Sequence, residues 1–192
     1  MARWAAGTPE RLQKAALELF ATRGFEQTTA AEIAEAVGLT ERTFFRHFSE
    51  KREVLFHGQQ ALVEACRAGV AQAQPDASPM EVVAAALRAV GAFFTEERRP
   101  FSRARQAVID QNPQLQERER HKLANLAAEI AAGLRDRGVG EVTAALAAEC
   151  GMAVFAVAFG QWLRDDARSF AEITADVLAE LHRLTAAPLP QG

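Results

Sequence analysis

Thr-Thr-Ala-Ala-Glu-Ile-Ala-Glu-Ala-Val-Gly-Leu-Thr-Glu-Arg-Thr-Phe-Phe-Arg-His-Phe-Ser-Glu-Lys-Arg-Glu-Val-Leu-Phe-His (residues 28–57) is the stretch that decides the fold. Thr29 followed three residues later by Glu32 has the form of a capping box, in which each residue satisfies the other's backbone amide. Ile33, Ala34 and Val37 carry the apolar spacing of a helix, and Gly38 supplies the left-handed residue that ends it. Thr40 caps a second short helix at once, and Ser49 is expected to cap a third that begins with Glu50, Lys51 and Arg52. Two short helices joined by a glycine-containing turn form a helix-turn-helix, whose second helix enters the DNA major groove. In that second helix Phe44 and Phe48, four apart, face inward, while Arg42 and Arg46 stack one turn apart on another face.

Working outward, Thr8 and Pro9 open a first helix with the inner stripe Leu12, Ala15, Ala16, Leu19 and Phe20, closed by Gly24. Residues 1–7 read as an arm, with Arg3 able to reach DNA backbone or minor groove. A long helix is expected from Glu50 to about Ala73, with Leu55, Leu62, Cys66 and Val70 on one stripe. Gln74-Pro75-Asp76-Ala77 is a break. Ser78, Pro79 and Glu81 start the next helix, Phe101–Asp110 is a short one, and Asn112-Pro113 opens a long one closed by Gly138. Glu141–Asp165 is the most apolar, and Ser169 with Glu172 boxes the last. The chain is therefore expected to be all-α, with about nine helices and no strand. An N-terminal three-helix helix-turn-helix DNA-binding domain takes 1–57, a helical ligand-binding and dimerisation domain takes 58–187, and 188–192 form a disordered tail.

The composition agrees. The 192 residues are 49% hydrophobic and carry a net charge of −3, so DNA affinity has to come from charge placed on one face rather than from bulk charge. Cys66 and Cys150 lie far apart with no CxxC, which argues against a disulfide framework or a zinc site, and no cofactor is expected. The start of the chain has no extended apolar stretch of the secretory type. Within Ala144–Leu163, Glu149 leaves only Cys150–Leu163 uncharged, shorter than a bilayer span, so a buried helix and a soluble cytoplasmic protein without membrane partners are expected. Four scattered histidines and the absence of a phosphate-binding glycine loop assemble no catalytic constellation, so an all-helical enzyme is disfavoured.

Gly-Leu-Thr-Glu-Arg-Thr-Phe-Phe-Arg-His-Phe-Ser-Glu-Lys-Arg-Glu-Val-Leu (38–55), with Ala-Ala-Leu-Glu-Leu-Phe-Ala-Thr-Arg-Gly-Phe-Glu-Gln-Thr-Thr (15–29) upstream, resembles the signature of TetR-family transcriptional regulators. The resemblance covers roughly the first third of the chain. It implies a DNA-binding N-terminal domain, a helical ligand and dimer domain, and repression relieved by a small molecule. It also implies Tyr before Arg46, reaching a phosphate with its hydroxyl; here Phe45 stands there, and the chain has no Tyr. The stretch Arg105 to Leu123 is similar to a C-terminal subgroup that includes the mycofactocin-system regulator, which implies a fatty acyl-CoA ligand.

The DNA-contact candidates are Thr28, Thr29, Glu41, Arg42, Thr43, Phe45, Arg46, His47 and Lys51. Arg42 can pair bidentately with guanine and Glu41 can accept from cytosine, whereas Arg46 and Lys51 suit phosphates. Thr29 serves equally as a cap alone, and His47 can pack beside Phe48. For the ligand, Phe93, Phe94, Phe101, Met152, Phe155, Phe159 and Trp162 offer apolar lining, each also readable as ordinary core. Arg103, Arg105, His121 and Lys122 offer anchors for an anionic head group, or are solvated helix faces. In the last two helices Ala147, Gly151, Ala156 and Gly160 allow close approach, and Phe155, Phe159, Val177, Leu178, Leu181 and Leu184 add apolar area for a two-fold homodimer. The expected partners are thus a palindromic double-stranded DNA operator, a small apolar or amphipathic effector and a second copy. The alternative is a helical lipid or acyl-CoA-binding protein without DNA regulation.

Overall fold

A computed structural model of the chain describes residues 7–186; Arg3 and the 188–192 tail lie outside them. The described residues form nine α-helices and two short 3-10 helices, with no strand among them. In order they are α1 (Thr8–Arg23), α2 (Ala30–Glu35), α3 (Glu41–His47), a 3-10 helix (Lys51–Phe56), α4 (Gln59–Gln72), α5 (Pro79–Gly91), a 3-10 turn (Glu96–Arg98), α6 (Arg99–Asp110), α7 (Pro113–Asp136), α8 (Glu141–Trp162) and α9 (Phe170–Ala186). The helix expected to run unbroken from Glu50 to Ala73 is divided. Residues 51–56 are 3-10, Glu50 rather than Ser49 holds the N-cap position, and Gly58 at φ 89° turns the chain before α4.

Two compact units result. The first takes the described chain through Gln60 and again Phe101–Arg120; the second takes Ala61–Pro100 and the chain from His121 onward. The first core gathers Leu12, Ala16, Phe20, Ile33, Phe44, Val54 and Leu55 with Val108, Ile109 and Leu115 from α6 and α7. Polar clamps reinforce that attachment. Arg118 donates from Nε and Nη2 to the two carboxylate oxygens of Glu53 at 2.7 and 2.9 Å, and Arg105 donates to the Leu55 carbonyl at 2.8 Å. The Arg118 and Arg105 guanidinium groups also lie over the Phe56 ring, 4.7 and 4.9 Å from its centre. The unit that carries the helix-turn-helix is therefore larger than residues 1–57.

In the second unit α8 packs between α5 and α9. Val83, Val90, Ile130, Leu134, Val154, Trp162, Phe170 and Ile173 are buried in its core. Burial raises the Cys66 thiol to about 11, so it is an inert core group rather than a reactive one. Helix α8 has a mean hydropathy of 1.9 and meets the length and composition of a membrane span; Glu149 alone does not prevent this. Its buried positions, including Ala144, Ala147, Ala148, Gly151 and Ala158, make it the central helix of this unit. The small residues split by direction. A Cβ on Gly151 would stand 2.5 Å from Val83 Cγ1, whereas one on Gly160 would meet only the tip of Arg164 at 3.8 Å. Gly151 therefore packs closely on Val83 inside the unit, and Ala147 is buried on the same helix. Gly69 has a similar role. A Cβ there would stand 2.7 Å from the Ala85 carbonyl oxygen and from Ala86 Cα, so α4 and α5 meet backbone to backbone. Gly69→Ala is expected to force them apart at a cost of about 1–3 kcal/mol, visible as a lowered thermal midpoint by circular dichroism. An unchanged midpoint would show that the two helices can separate freely.

Candidate nucleic-acid interface and effector region

The helix-turn-helix is held by local hydrogen bonds. Thr29 and Glu32 complete the capping box, with the Thr29 amide donating to Glu32 at 2.8 Å and the Glu32 amide donating to the Thr29 hydroxyl at 3.2 Å. The Thr29 amide and then its hydroxyl hold the Glu32 carboxyl below the usual carboxylate range. After Gly38, at φ 73°, the Leu39 amide donates to the Ala34 carbonyl at 2.9 Å and closes α2. The Thr40 hydroxyl then accepts from the Thr43 amide at 3.3 Å and starts α3. Fully buried Phe44 and nearly buried Phe48, ring centres 5.3 Å apart, pin one side of α3 to the core. The other sides are left open. Glu41, Arg42, Phe45, Arg46 and His47 are all exposed, with Phe45 lying edge-on to Phe44.

Most cations of this region are paired within it. Among the described residues through Gln60, five of the seven Lys and Arg side chains have a hydrogen-bond acceptor or a carboxylate within 4.0 Å. Arg11 donates to the Val37 carbonyl, Lys14 faces Glu18, Arg23 pairs with Glu32, Lys51 donates to the Phe25 carbonyl and Arg52 pairs with Glu50. The remaining two, Arg42 and Arg46, have no partner among the described residues and share the open face of α3.

Some sequence-derived candidates move. Thr28 is 1% exposed and its hydroxyl donates to the Gly24 carbonyl at 2.9 Å, so it is a buried turn residue and not a surface contact. Thr29 is a cap, and half-buried Thr43 shares its hydroxyl with Thr40 at 3.1 Å. Lys51 reaches the Phe25 carbonyl at 2.6 Å and lies 4.2 Å from the centre of the Phe25 ring, which fastens the start of the 3-10 helix to the α1–α2 turn.

The ligand candidates divide between the units. Phe94, Phe155, Phe159 and Trp162 do come together, joined by Phe170, with ring centres between 4.8 and 6.1 Å apart; they form a packed cluster in the second unit. Met152 packs partly buried on the same core, and Phe93 is half-buried without a ring contact in that cluster. Phe101 and Arg105 belong to the first unit instead. Phe101 packs on the first core, and Arg105 is occupied by Leu55, Phe56 and, at 2.7 Å, Glu119, so it is not a head-group anchor. Arg103 is exposed, Lys122 is buried, and His121 is exposed beside Asn125 at 3.4 Å. Arg99, absent from the sequence-derived candidates, is 4% exposed and stacked 5.1 Å from the Trp162 ring centre. Phe170 was equally missed, although its place just after the Ser169 cap marks it as the first inward position of a helix.

The second unit also has an open apolar groove of about 850 Å³ along α5, α8 and α9, lined by Met80, Ala84, Leu146, Cys150, Leu178 and Leu181. The described residues leave five large apolar side chains exposed: Phe45 on α3, Val142, Leu146 and Val157 on α8, and Leu184 on α9.

Residues 12–57 match the profile of the bacterial regulatory proteins of the tetR family, and residues 77–186 match the MftR C-terminal domain. The chain belongs to the TetR family. It is 42% identical over 83 residues to the HTH-type transcriptional regulator TcmR of Streptomyces glaucescens, a match that spans 43% of this chain and 37% of that protein. It is 27% identical over 168 residues, 86% of this chain and 84% of the other, to a Mycobacterium tuberculosis protein described as a mycofactocin biosynthesis transcriptional regulator, MftR. Among solved structures, FadR of Thermus thermophilus, a TetR-family repressor in complex with lauroyl-CoA, superposes with a TM-score of 0.51 at 29% identity, over 96% of this chain and all of that one. These relatives are transcriptional regulators, not enzymes. A member of this family is a DNA-binding transcriptional regulator with a C-terminal domain that takes a ligand.

Proposed function

We propose that this TetR-family chain is a cytoplasmic, homodimeric repressor that binds a palindromic operator and is released by an acyl effector, of which an acyl-CoA is the leading form. The observation that carries the DNA reading is the pairing of cations: of the Lys and Arg side chains among the described residues through Gln60, only Arg42 and Arg46 have no partner, and both stand on the open face of α3. Bidentate guanine contact suits Arg42, one residue inside the helix, and phosphate contact suits Arg46 one turn later. Exposed Phe45 lacks the hydroxyl that would reach a phosphate, but its ring suits a thymine methyl or a sugar. Lys51 and Thr29 then act by holding the geometry of the motif.

The dimer reading is supported by α8 and α9. Val142, Leu146, Ala153 and Val157 repeat at helical spacing on exposed positions of α8, and Ala171, Ala175, Ala179 and Leu184 are exposed on α9. An apolar face of this kind is stabilised when a second copy covers it, and a two-fold axis places two recognition helices on successive major grooves, roughly 34–36 Å apart. The effector reading is supported by the apolar, aromatic interior of the second unit and by the lauroyl-CoA in the complex of the Thermus protein. The test is a mobility-shift titration with the DNA upstream of the protein's own gene, across a salt series, with and without lauroyl-CoA. Specific binding that weakens steeply with salt and falls on adding the acyl-CoA is the expected result. Acyl binding without any DNA binding would instead make this a helical lipid-binding protein.

A further inference from the structure

Two buried donors in the second unit have nothing to donate to. Trp162 is 0% exposed and Arg99 4% exposed, and neither the indole Nε1–H nor the guanidinium Nε–H has an acceptor. The two side chains are in contact, with the guanidinium carbon 5.1 Å from the indole ring centre. The rest of Arg99 is committed: Nη2 donates to the Arg168 carbonyl at 2.6 Å, and Nη1 lies 3.6 Å from Asp166. The bond to the Arg168 carbonyl and the contact with the Trp162 ring hold the guanidinium and leave its Nε–H pre-positioned. An unsatisfied buried donor is costly, so each of these two N–H groups calls for an acceptor. Phe94, Phe159 and Phe170 pack against the Trp162 ring.

We propose that Trp162 and Arg99 form the polar end of the effector site and take the acyl oxygen of a long apolar chain, either a carboxylate or a thioester carbonyl. This rests on the effector reading above and deepens it. Both free groups are donors and one side chain is a cation, so the site selects an acceptor and rejects a cationic head. A carboxylate or carbonyl oxygen supplies the acceptor that these N–H groups lack, and the chain exchanges its water contacts for the aromatic rings. Because those rings now touch one another, the ligand must be admitted by a state in which Phe94 shifts, and it stabilises that state through its own differential affinity.

The test uses the full chain carrying Trp4→Phe, which leaves Trp162 as its single indole. The probes are laurate, lauroyl-CoA and dodecyltrimethylammonium, equal in chain length and different in head. The readouts are the Trp162 indole N–H resonance and operator affinity. Laurate, lauroyl-CoA or both should move the resonance downfield and lower operator affinity, while the ammonium compound does neither. A response to laurate alone assigns a carboxylate; a response to lauroyl-CoA alone assigns the thioester. Trp162→Phe should weaken acyl binding about tenfold, the scale of one buried hydrogen bond. Should that variant misfold, the resonance of the native indole still decides the matter. If acyl compounds release DNA while the indole stays silent, the site proposed here is wrong and the effector reading stands; loss of the response in Leu178→Trp would then place the ligand in the groove of α5, α8 and α9. If no acyl compound binds although the operator is bound, the effector reading fails and this inference with it. An indole already bonded to an exchangeable buried water, and unchanged by acyl ligand, also overturns the proposal.

Discussion

Arg42→Ala is expected to weaken operator binding by about 1–3 kcal/mol and to relax base preference at one position in each half-site. The warrant is that Arg42 is one of only two unsatisfied cations among the described residues of the helix-turn-helix region, on a face that Phe44 and Phe48 hold away from the core. Arg46→Ala should behave differently. It should lower affinity for all sequences alike and reduce the slope of log affinity against log salt by about one counterion, since a phosphate contact carries no base information. Lys51→Ala gives a third pattern. Its ammonium is spent on the Phe25 carbonyl and ring, so the loss should appear as a lower thermal midpoint more than as a change in salt slope. Binding-site selection and salt titration on the three variants separate these outcomes. If the Arg42 variant keeps wild-type base preference, Arg42 does not read sequence.

The helix-turn-helix was legible because its determinants are local. Caps, a left-handed glycine and an i, i+4 aromatic pair are encoded within a few residues of where they act. Thr28 shows the limit: nothing local distinguishes a threonine that binds the preceding turn at Gly24 from one that faces solvent. The long helix drawn through 50–73 failed for a related reason. Apolar spacing continues across Gly58, but a glycine at φ 89° breaks the helix without breaking the pattern. Longer-range facts were out of reach. That α6 and the first turns of α7 join the N-terminal core depends on Val108, Ile109 and Leu115 meeting residues far away in sequence. The same pairing takes Arg105 from head-group anchor to clamp on Leu55 and Phe56. The aromatic centre was half legible: helical spacing brought Phe155, Phe159 and Trp162 together, but Arg99 enters only through its stacking on Trp162.

Val157→Arg and Leu146→Glu are expected to convert the protein to a monomer and to lower operator affinity by about 10²–10⁴, the gain that joining two half-site modules provides. Both positions are at least half exposed, 50% for Val157 and 62% for Leu146, so neither substitution disturbs the core of one subunit. A charge there is harmless to a free subunit in water and costly once a second copy would bury it unpaired. Gly151→Arg makes the contrast. Its side chain would enter the space of Val83, so it should unfold the second unit and lose DNA binding for a reason unrelated to dimerisation. Sedimentation velocity, a thermal melt and a mobility-shift assay together distinguish these cases. The surface variants should sediment as folded monomers with the wild-type melting profile, whereas Gly151→Arg should lose the melt itself. A Val157→Arg protein that remains dimeric with normal operator affinity would place the two-fold interface away from α8 and α9. It would also leave the exposed apolar face of α8 without a partner.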